Sequence, residues 1–434
     1  VTAVARVGAT PPMGWNSWDS FGTAVTEEEV LGNARFMAEH LLEFGWDTIV
    51  VDIQWYEPTA RAGGYNEEPP VELDGFGRQI PAVNRFPSAA EGKGFAPLAS
   101  AVHELGLKFG LHIMRGIPRR AVALDLPVHG TEYTAAQVAD TGSTCAWNPD
   151  NFGLDHDVPG AQAYYDAQVA QFAAWGVDFI KADDMLAPYH DREIEAYATA
   201  IARSGGDIAL SLSPGTRLST AHLEHLRENS TMWRVSDDLW DRWSDVYDQF
   251  GRMARWAPFQ QPGAWADADM LPLGHIGIRA ERGVDRHSLL TLDEQRTLMT
   301  LWVMSRSPLM FGGDLPTSKQ ETIDLLTNAD VIRVLQHSER NREAYREGDL
   351  VVWTAVGTDA GGEDAGGADV RYAAIFWTGE EGSTATVPRS SIGVAAGDVV
   401  SAVDLWTGEG VTLGAVNLEI DVPAHGARLL RFEH

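Results

Sequence analysis

The sequence predicts an α/β protein: a (β/α)8 TIM barrel over residues 1–338, followed by a C-terminal antiparallel β-sandwich domain over 339–434. Three observations carry that expectation. From about residue 25 to 335, short apolar runs alternate with amphipathic stretches, the pattern of parallel strands covered by helices. No glycine-rich phosphate loop follows the first strand, which favours a barrel over a doubly wound sheet. After about residue 340 the chain becomes strands separated by Gly- and Asp-rich turns, with no helical stretch between them.

Thr48–Ile53, Lys108–Ile113, Val177–Lys181, Ile208–Ser211 and Met232–Val235 are compact apolar runs, as expected of parallel strands buried on both faces. Between them, Glu27–Phe44, Ala96–Leu105, Ala161–Trp175, Arg192–Ser204 and Asp293–Ser305 carry helical periodicity. In the second region Val351–Ala355, Tyr372–Trp377, Val399–Leu405 and Ala427–Phe432 read as strands, and the tract Gly357–Asp369 as a long hairpin loop. Glu57–Phe95 and Arg115–Asn148 follow the second and third strands and are expected to overhang the cleft.

The 434 residues allow two or three domains, and 44% hydrophobic with 22% charged residues excludes wholesale disorder. Acids outnumber bases 62 to 33, a net charge of -29. Such a surface repels phosphate backbones and anionic membranes, so neither a nucleic acid nor a membrane is an expected partner. The single Cys145 excludes an intrachain disulfide and a four-thiolate zinc site. No apolar run reaches the ~18–20 residues of a membrane helix. No basic-then-apolar leader opens the chain, which favours the cytoplasm over secretion. A homo-oligomer is compatible with the pattern. Tryptophans, 15 in all, supply flat apolar platforms of the kind that line carbohydrate sites, although core packing accounts for more than half of them.

Barrel enzymes place catalytic groups just past the C-terminal ends of their strands. Those ends bring Trp15, Trp18, Asp52, His112, Asp183, Asp184, Ser213, Asp237, Asp238, Asp267 and Asp269 to one rim. Many carboxylates, few bases and several tryptophans suit glycoside hydrolysis, in which one carboxylate attacks the anomeric carbon and another protonates the leaving oxygen. Strand-end aspartates also bind Mg2+ or cap helices. Alternation along Val177–Asp184 puts Lys181 and Asp183 on one side, where the lysine would keep the carboxylate ionised as a nucleophile requires. Along Trp233–Asp241 the same parity groups Arg234, Ser236 and Asp238 and turns Asp237 away. Asp238 is therefore the expected acid over Asp237, with Trp240 or Trp243 raising its pKa by desolvation and Arg234 gripping sugar hydroxyls. Asp155-His156-Asp157 lacks ligand spacing and reads as a structural loop. Ser211 and Ser213 lack the G-x-S-x-G elbow of a serine hydrolase. His112 is a substrate contact or a wall residue.

These motifs resemble family 27 of the glycoside hydrolases, in the α-galactosidase clan. The likeness begins with Pro12-Met13-Gly14-Trp15-Asn16-Ser17-Trp18 and continues through Val51-Asp52-Ile53-Gln54-Trp55, Asp74-Gly75-Phe76-Gly77-Arg78 and Arg85-Phe86-Pro87-Ser88. Lys181-Ala182-Asp183, Trp265-Ala266-Asp267-Ala268-Asp269-Met270-Leu271, Ser307-Pro308-Leu309-Met310 and Pro423-Ala424-His425-Gly426-Ala427 follow in family order. The resemblance implies a retaining exo-glycosidase with no metal or other cofactor. It places the nucleophile on Asp183 with Lys181 beside it, the acid/base on Asp238, a sugar-binding arginine on Arg234 and a platform on Trp18. Asp52 would be the first of two adjacent aspartates that hold the 4- and 6-hydroxyls of galactose. His112, Ser213 and Asp269 complete the expected sugar contacts.

The departures concern the sugar. The second of the paired aspartates is Ile53; Leu212-Ser213-Pro214 replaces a Cys-Glu-Trp turn; His112 and Met185 replace Tyr and Cys. The expectation is hydrolysis of an α-D-galactoside-like bond in an oligosaccharide, polysaccharide or glycoconjugate. The same mechanism on an α-glucoside, an α-N-acetylgalactosaminide or a β-L-arabinopyranoside is the alternative. A non-catalytic carbohydrate-binding barrel and a metal-dependent isomerase or aldolase are more distant ones.

Overall fold

In the computed structural model, residues 7–358, 370–395 and 401–433 are described. The N-terminal part carries eight parallel strands: β1 (Met13–Asn16), β2 (Thr48–Val51), β3 (Lys108–Met114), β4 (Phe179–Asp183), β5 (Ala209–Leu212), β6 (Met232–Arg234), β7 (Trp265–Asp267) and β8 (Leu309–Phe311). They form one sheet in the spatial order β7-β6-β5-β4-β3-β2-β1-β8. The circle is completed just beyond β7, where Leu271 makes a parallel bridge to Phe311. Its N–H donates to Met310 O at 2.8 Å, and Gly312 N–H returns to Leu271 O at 3.0 Å.

Every residue of β2 is buried, as the apolar run predicts for a strand covered on one side by helices and filled on the other by barrel side chains. Close strand approach explains Gly14, where a Cβ would lie 2.4 Å from Thr48 O. The helices begin and end where local chemistry dictates. Thr26 and Glu29 form a capping box at the start of Glu27–His40, satisfying backbone donors that the first turn leaves free. Pro159 opens the helix Pro159–Trp175, and Gly176 ends it with φ 83°, a left-handed turn that costs glycine nothing.

The C-terminal part is a six-stranded antiparallel sheet in the order Ser338–Glu347, Leu350–Gly357, Arg371–Trp377, Ala427–Glu433, Ser401–Asp404, Gly410–Val411. It is faced by the pair Ser383–Pro388 and Asn417–Val422. Period-two alternation divides its side chains. Leu350, Val352, Ile375 and Leu430 form a core inside the sandwich, while Val351, Trp353, Phe376 and Leu429 join the barrel core. Polar pins hold the two parts together: His425 Nδ1 lies 2.8 Å from Glu294 Oε1 and Trp406 Nε1 donates to Thr300 Oγ1 at 2.9 Å. Strands flanking the Gly357–Asp369 tract pair in register at Val356 and Arg371; residues 359–369 of that tract, and Val399 of the third expected strand, lie outside the described residues. Among the described residues no helix is long and apolar enough to cross a membrane.

Candidate active site

Parallel register sets the ends of β3, β4 and β5 side by side, with His112 opposite Lys181 and Lys181 opposite Ser211. The C-terminal rim opens into a cavity of about 890 Å3. Trp18, Asp52, His112 and Lys181 line it, as do Asp183, Arg234, Asp238 and Asp269. Ser213, fully buried, reaches the site through Asp183.

Asp183, at the end of β4, is the more tightly held of the two expected catalytic carboxylates. His112 Nε2 lies 3.2 Å from its Oδ2, and because an ionised carboxylate only accepts, that nitrogen carries the hydrogen. Oδ1 accepts from Ser213 Oγ at 3.0 Å and from Asp184 N–H at 2.8 Å. The second of these uses the left-handed backbone of Asp184, φ 60°. Burial alone would raise the Asp183 pKa; the His112 hydrogen bond and charge, then Lys181, drive it well below the usual carboxylate range.

Lys181 shares the side of β4 that parity predicts, but its partner differs from the expected one. Its ammonium binds Asp52 Oδ2 at 2.9 Å, spanning β3 across the barrel interior. Asn16 Nδ2 donates to the same oxygen at 2.8 Å, and Ile53 N–H holds Oδ1 at 2.8 Å. Burial opposes ionisation of Asp52, and Lys181 overcomes it, leaving the pKa at about 2. The lysine therefore acts on Asp183 only through space, after His112.

Asp238 differs in kind. Its side chain is 41% exposed and its Oδ1 accepts from Arg234 Nη1 at 2.9 Å. Arg234 Nη2 lies 3.0 Å from Asp269 Oδ2, so two carboxylates share one guanidinium. Burial, with Asp238 and Asp267 adding to it against Arg234, raises Asp269 to about 7. The tryptophan setting expected around Asp238 is absent in one half: Trp243 stacks on His425 at 4.0 Å and 11°, facing the β-sandwich. Trp240 is buried in the apolar cluster under the site. Arg234, expected to grip sugar hydroxyls, is engaged by these two acids. Asp237 is exposed, also lines the cavity, and pairs with Thr216 through Asp237 N to Thr216 Oγ1 at 2.6 Å.

Sequence reasoning missed Asp19, Tyr65, Trp147, Tyr189 and Arg217, all of which line the cavity. Tyr65 and Trp147 come from the two long segments after β2 and β3, which were expected to overhang. The Tyr65 ring stacks 6.1 Å from Trp18 at 28°. Burial first, then the charges of Asp183 and Asp52, keep its hydroxyl protonated. Asp19, one residue past the expected platform, is buried, and its Oδ2 has no hydrogen-bond partner among the described residues. No group of three or more His, Cys, Asp or Glu is arranged to hold a metal among the described residues. In the Asp155–Asp157 loop, His156 Nε2 faces Glu193 at 3.1 Å and Asp157 pairs with Arg192 at 2.9 Å.

Two family models match the chain: one described as alpha galactosidase A over residues 151–337, and one described as alpha galactosidase C-terminal beta sandwich domain over 347–432. A crystal structure of a family 27 β-L-arabinopyranosidase from Geobacillus stearothermophilus is similar at 48% identity and TM-score 0.93, covering 98% of this chain and 97% of that one. A putative α-N-acetylgalactosaminidase from Bacillus halodurans is 42% identical with TM-score 0.85, covering 99% of each chain. An α-galactosidase from Cyamopsis tetragonoloba is 26% identical over 430 residues, 98% of this chain and 86% of that protein.

Proposed function

The chain belongs to glycoside hydrolase family 27, and from that premise we propose that it is a retaining exo-glycosidase for β-L-arabinopyranosides. These sugars share the ring configuration of α-D-galactosides and lack the exocyclic hydroxymethyl group. The observation that carries the reading is Ile53. It is 1% exposed and packs in an apolar cluster with Trp18 and Tyr65, where the family resemblance implies a carboxylate for the 6-hydroxyl. An unpaired hydroxyl buried there costs roughly 1–3 kcal/mol, and a pentopyranose has none to bury. The similar arabinopyranosidase from Geobacillus stearothermophilus supports the same choice.

In the proposed mechanism Asp183 attacks the anomeric carbon while Asp238 protonates the departing glycosidic oxygen. The glycosyl-enzyme formed has inverted configuration. Asp238 then takes a proton from water, whose attack inverts the centre again and releases Asp183. What supports Asp183 as nucleophile is its enforced negative charge; what supports Asp238 as the proton carrier is its exposure in the same cavity, where Arg234 fixes one of its oxygens.

The test is kcat/KM on 4-nitrophenyl β-L-arabinopyranoside and α-D-galactopyranoside. The arabinoside should be preferred by roughly 10- to 100-fold, the factor that an unpaired hydroxyl implies. Ile53→Asp should narrow or reverse that ratio. Preference for the galactoside by the wild type, or a ratio indifferent to Ile53→Asp, overturns the reading.

A further inference from the structure

The cavity of about 890 Å3 lies near the top of the roughly 300–1,000 Å3 range of small-ligand pockets, more than one pentopyranose held at Asp52 and Trp18 requires. Part of its remaining wall comes from the loops after β3, β4 and β5. Trp147 is 40% exposed there, whereas Trp15, Trp46, Trp55 and Trp233 are fully buried. The loop that carries Trp147 is fixed: Asp150 N–H donates to Asn148 Oδ1 at 2.9 Å, and the Asp150 carboxylate accepts from Tyr56 and Gln54.

Two rings of the same cavity, Tyr189 and His222, are fixed by contact. The Tyr189 ring lies flat on His222 at 3.8 Å and 12°. Its hydroxyl meets His225 Nδ1 at 2.6 Å, and His225 Nε2 meets Glu195 at 3.1 Å. Arg217 is exposed to the cavity and makes no hydrogen bond or ion pair among the described residues, in a chain with nearly twice as many acids as bases. Its loop rests on the acid/base segment: a Cβ at Gly215 would fall 1.6 Å from Arg234 O, and Thr216 N–H donates to Asp237 Oδ1 at 3.3 Å. The loop that carries Arg217 and His222 therefore adjoins the segment from which Asp238 would deliver its proton.

We propose that Trp147, Tyr189, His222 and Arg217 form a leaving-group subsite for an aglycone with a flat ring face and an oxygen acceptor, either an aryl group or a second pyranose. The proposal rests on the catalytic reading above. Indole and phenol faces stack on such rings, and the Tyr189 phenol is held in place before binding, so it loses little side-chain entropy. Arg217 supplies the hydrogen bonds that orient the ring.

The experiment compares wild type, Trp147→Ala and Trp147→Phe on three substrates with one glycone: the methyl glycoside, the 4-nitrophenyl glycoside, and the glycone linked to D-galactopyranose. Because each variant is divided by wild type on the same substrate, intrinsic leaving-group reactivity cancels. Trp147→Ala should lower kcat/KM roughly three- to tenfold on a ring-bearing substrate, leave the methyl glycoside within about twofold, and be rescued by phenylalanine. Loss on the aryl arm, the disaccharide arm or both supports the subsite and identifies its occupant. Equal loss on all three substrates, or on none, overturns it. The same three aglycones are placed on whichever glycone wild type cleaves, so an error in the sugar shows in the wild-type panel and leaves this ratio readable.

Discussion

The ends of β4 and β6 each deliver an aspartate to one cavity, and they hold it in opposite ways. Asp183 is surrounded by three donors and a nearby ammonium; Asp238 has one guanidinium and is 41% exposed. A nucleophile must be charged before the sugar arrives and must not move. A proton carrier must change charge twice in each turnover, which strong fixed donors would prevent. The difference in packing thus follows the difference in proposed duty, and it can be broken experimentally.

The largest effect should come from Asp183→Asn, which closes the covalent route and should cut kcat/KM by on the order of 10^4-fold or more on every substrate. Asp238→Asn should depend on the leaving group. An alkyl aglycone should lose roughly 10^2- to 10^4-fold, while 4-nitrophenol, which departs as an anion, should lose much less in the first step. Added azide, which needs no general base, should restore turnover to the Asp238 variant and yield a glycosyl azide. Azide rescue of Asp183→Asn with retained anomeric configuration, or a leaving-group-independent loss in Asp238→Asn, would exchange or dismiss the two assignments.

A finer cut asks which neighbour keeps Asp183 charged. His112→Phe removes the hydrogen bond at Oδ2, so the nucleophile's pKa should rise toward its ordinary value. The acid limb of the kcat/KM profile should then move to higher pH, with a loss of roughly 10- to 100-fold for a hydrogen bond to a charged group. Lys181→Met should shift that limb less and weaken substrate binding more, since its contact is Asp52. An acid limb that moves more in Lys181→Met than in His112→Phe would restore the sequence-based pairing of Lys181 with Asp183.

That pairing shows how far the sequence is legible. Apolar runs locate the strands, and period-two alternation groups Lys181 with Asp183, and Arg234 with Asp238, all of which line the cavity. It turns Asp237 away, but Asp237 lines the cavity too because the chain leaves the strand at Arg234. Parity assigns a face, however, and not a partner. Inside a closed barrel a strand two places round competes with the residue two positions along, and Asp52, just past the end of β2, takes the lysine. Trp243 fails as an active-site aromatic for a related reason: it begins the helix Trp243–Trp256, which packs outward, and stacks on a residue some 180 positions later. Tyr65 and Trp147 carry no periodic signal, because long loops are placed by tertiary contacts rather than by local pattern. Asp19 lies in the short helix Trp18–Phe21 and not on a strand, so strand alternation carries no signal for it.

Asp19 and Asp52 give the smallest and cleanest test, since both are buried carboxyls at the same rim and only one has a cation. Asp52 is depressed, so its contribution to stability is present above the unfolded pKa and is lost as pH falls toward 2. Asp19 is raised well above its ordinary value, by burial and then by Asp269 and Asp238. The folded state therefore keeps a proton that the unfolded state releases above about pH 4, and the stabilisation is lost as pH rises through the folded pKa. Asparagine at position 19 is neutral throughout. The stability difference between Asp19→Asn and wild type should be constant below pH 4 and then shift steadily in favour of the variant as pH rises toward 8. Denaturant unfolding of both proteins from pH 4 to 8 measures it. A difference flat across that range would mean that Asp19 ionises normally, and that a cation or hydrogen bond reaches its Oδ2 as one reaches Asp52.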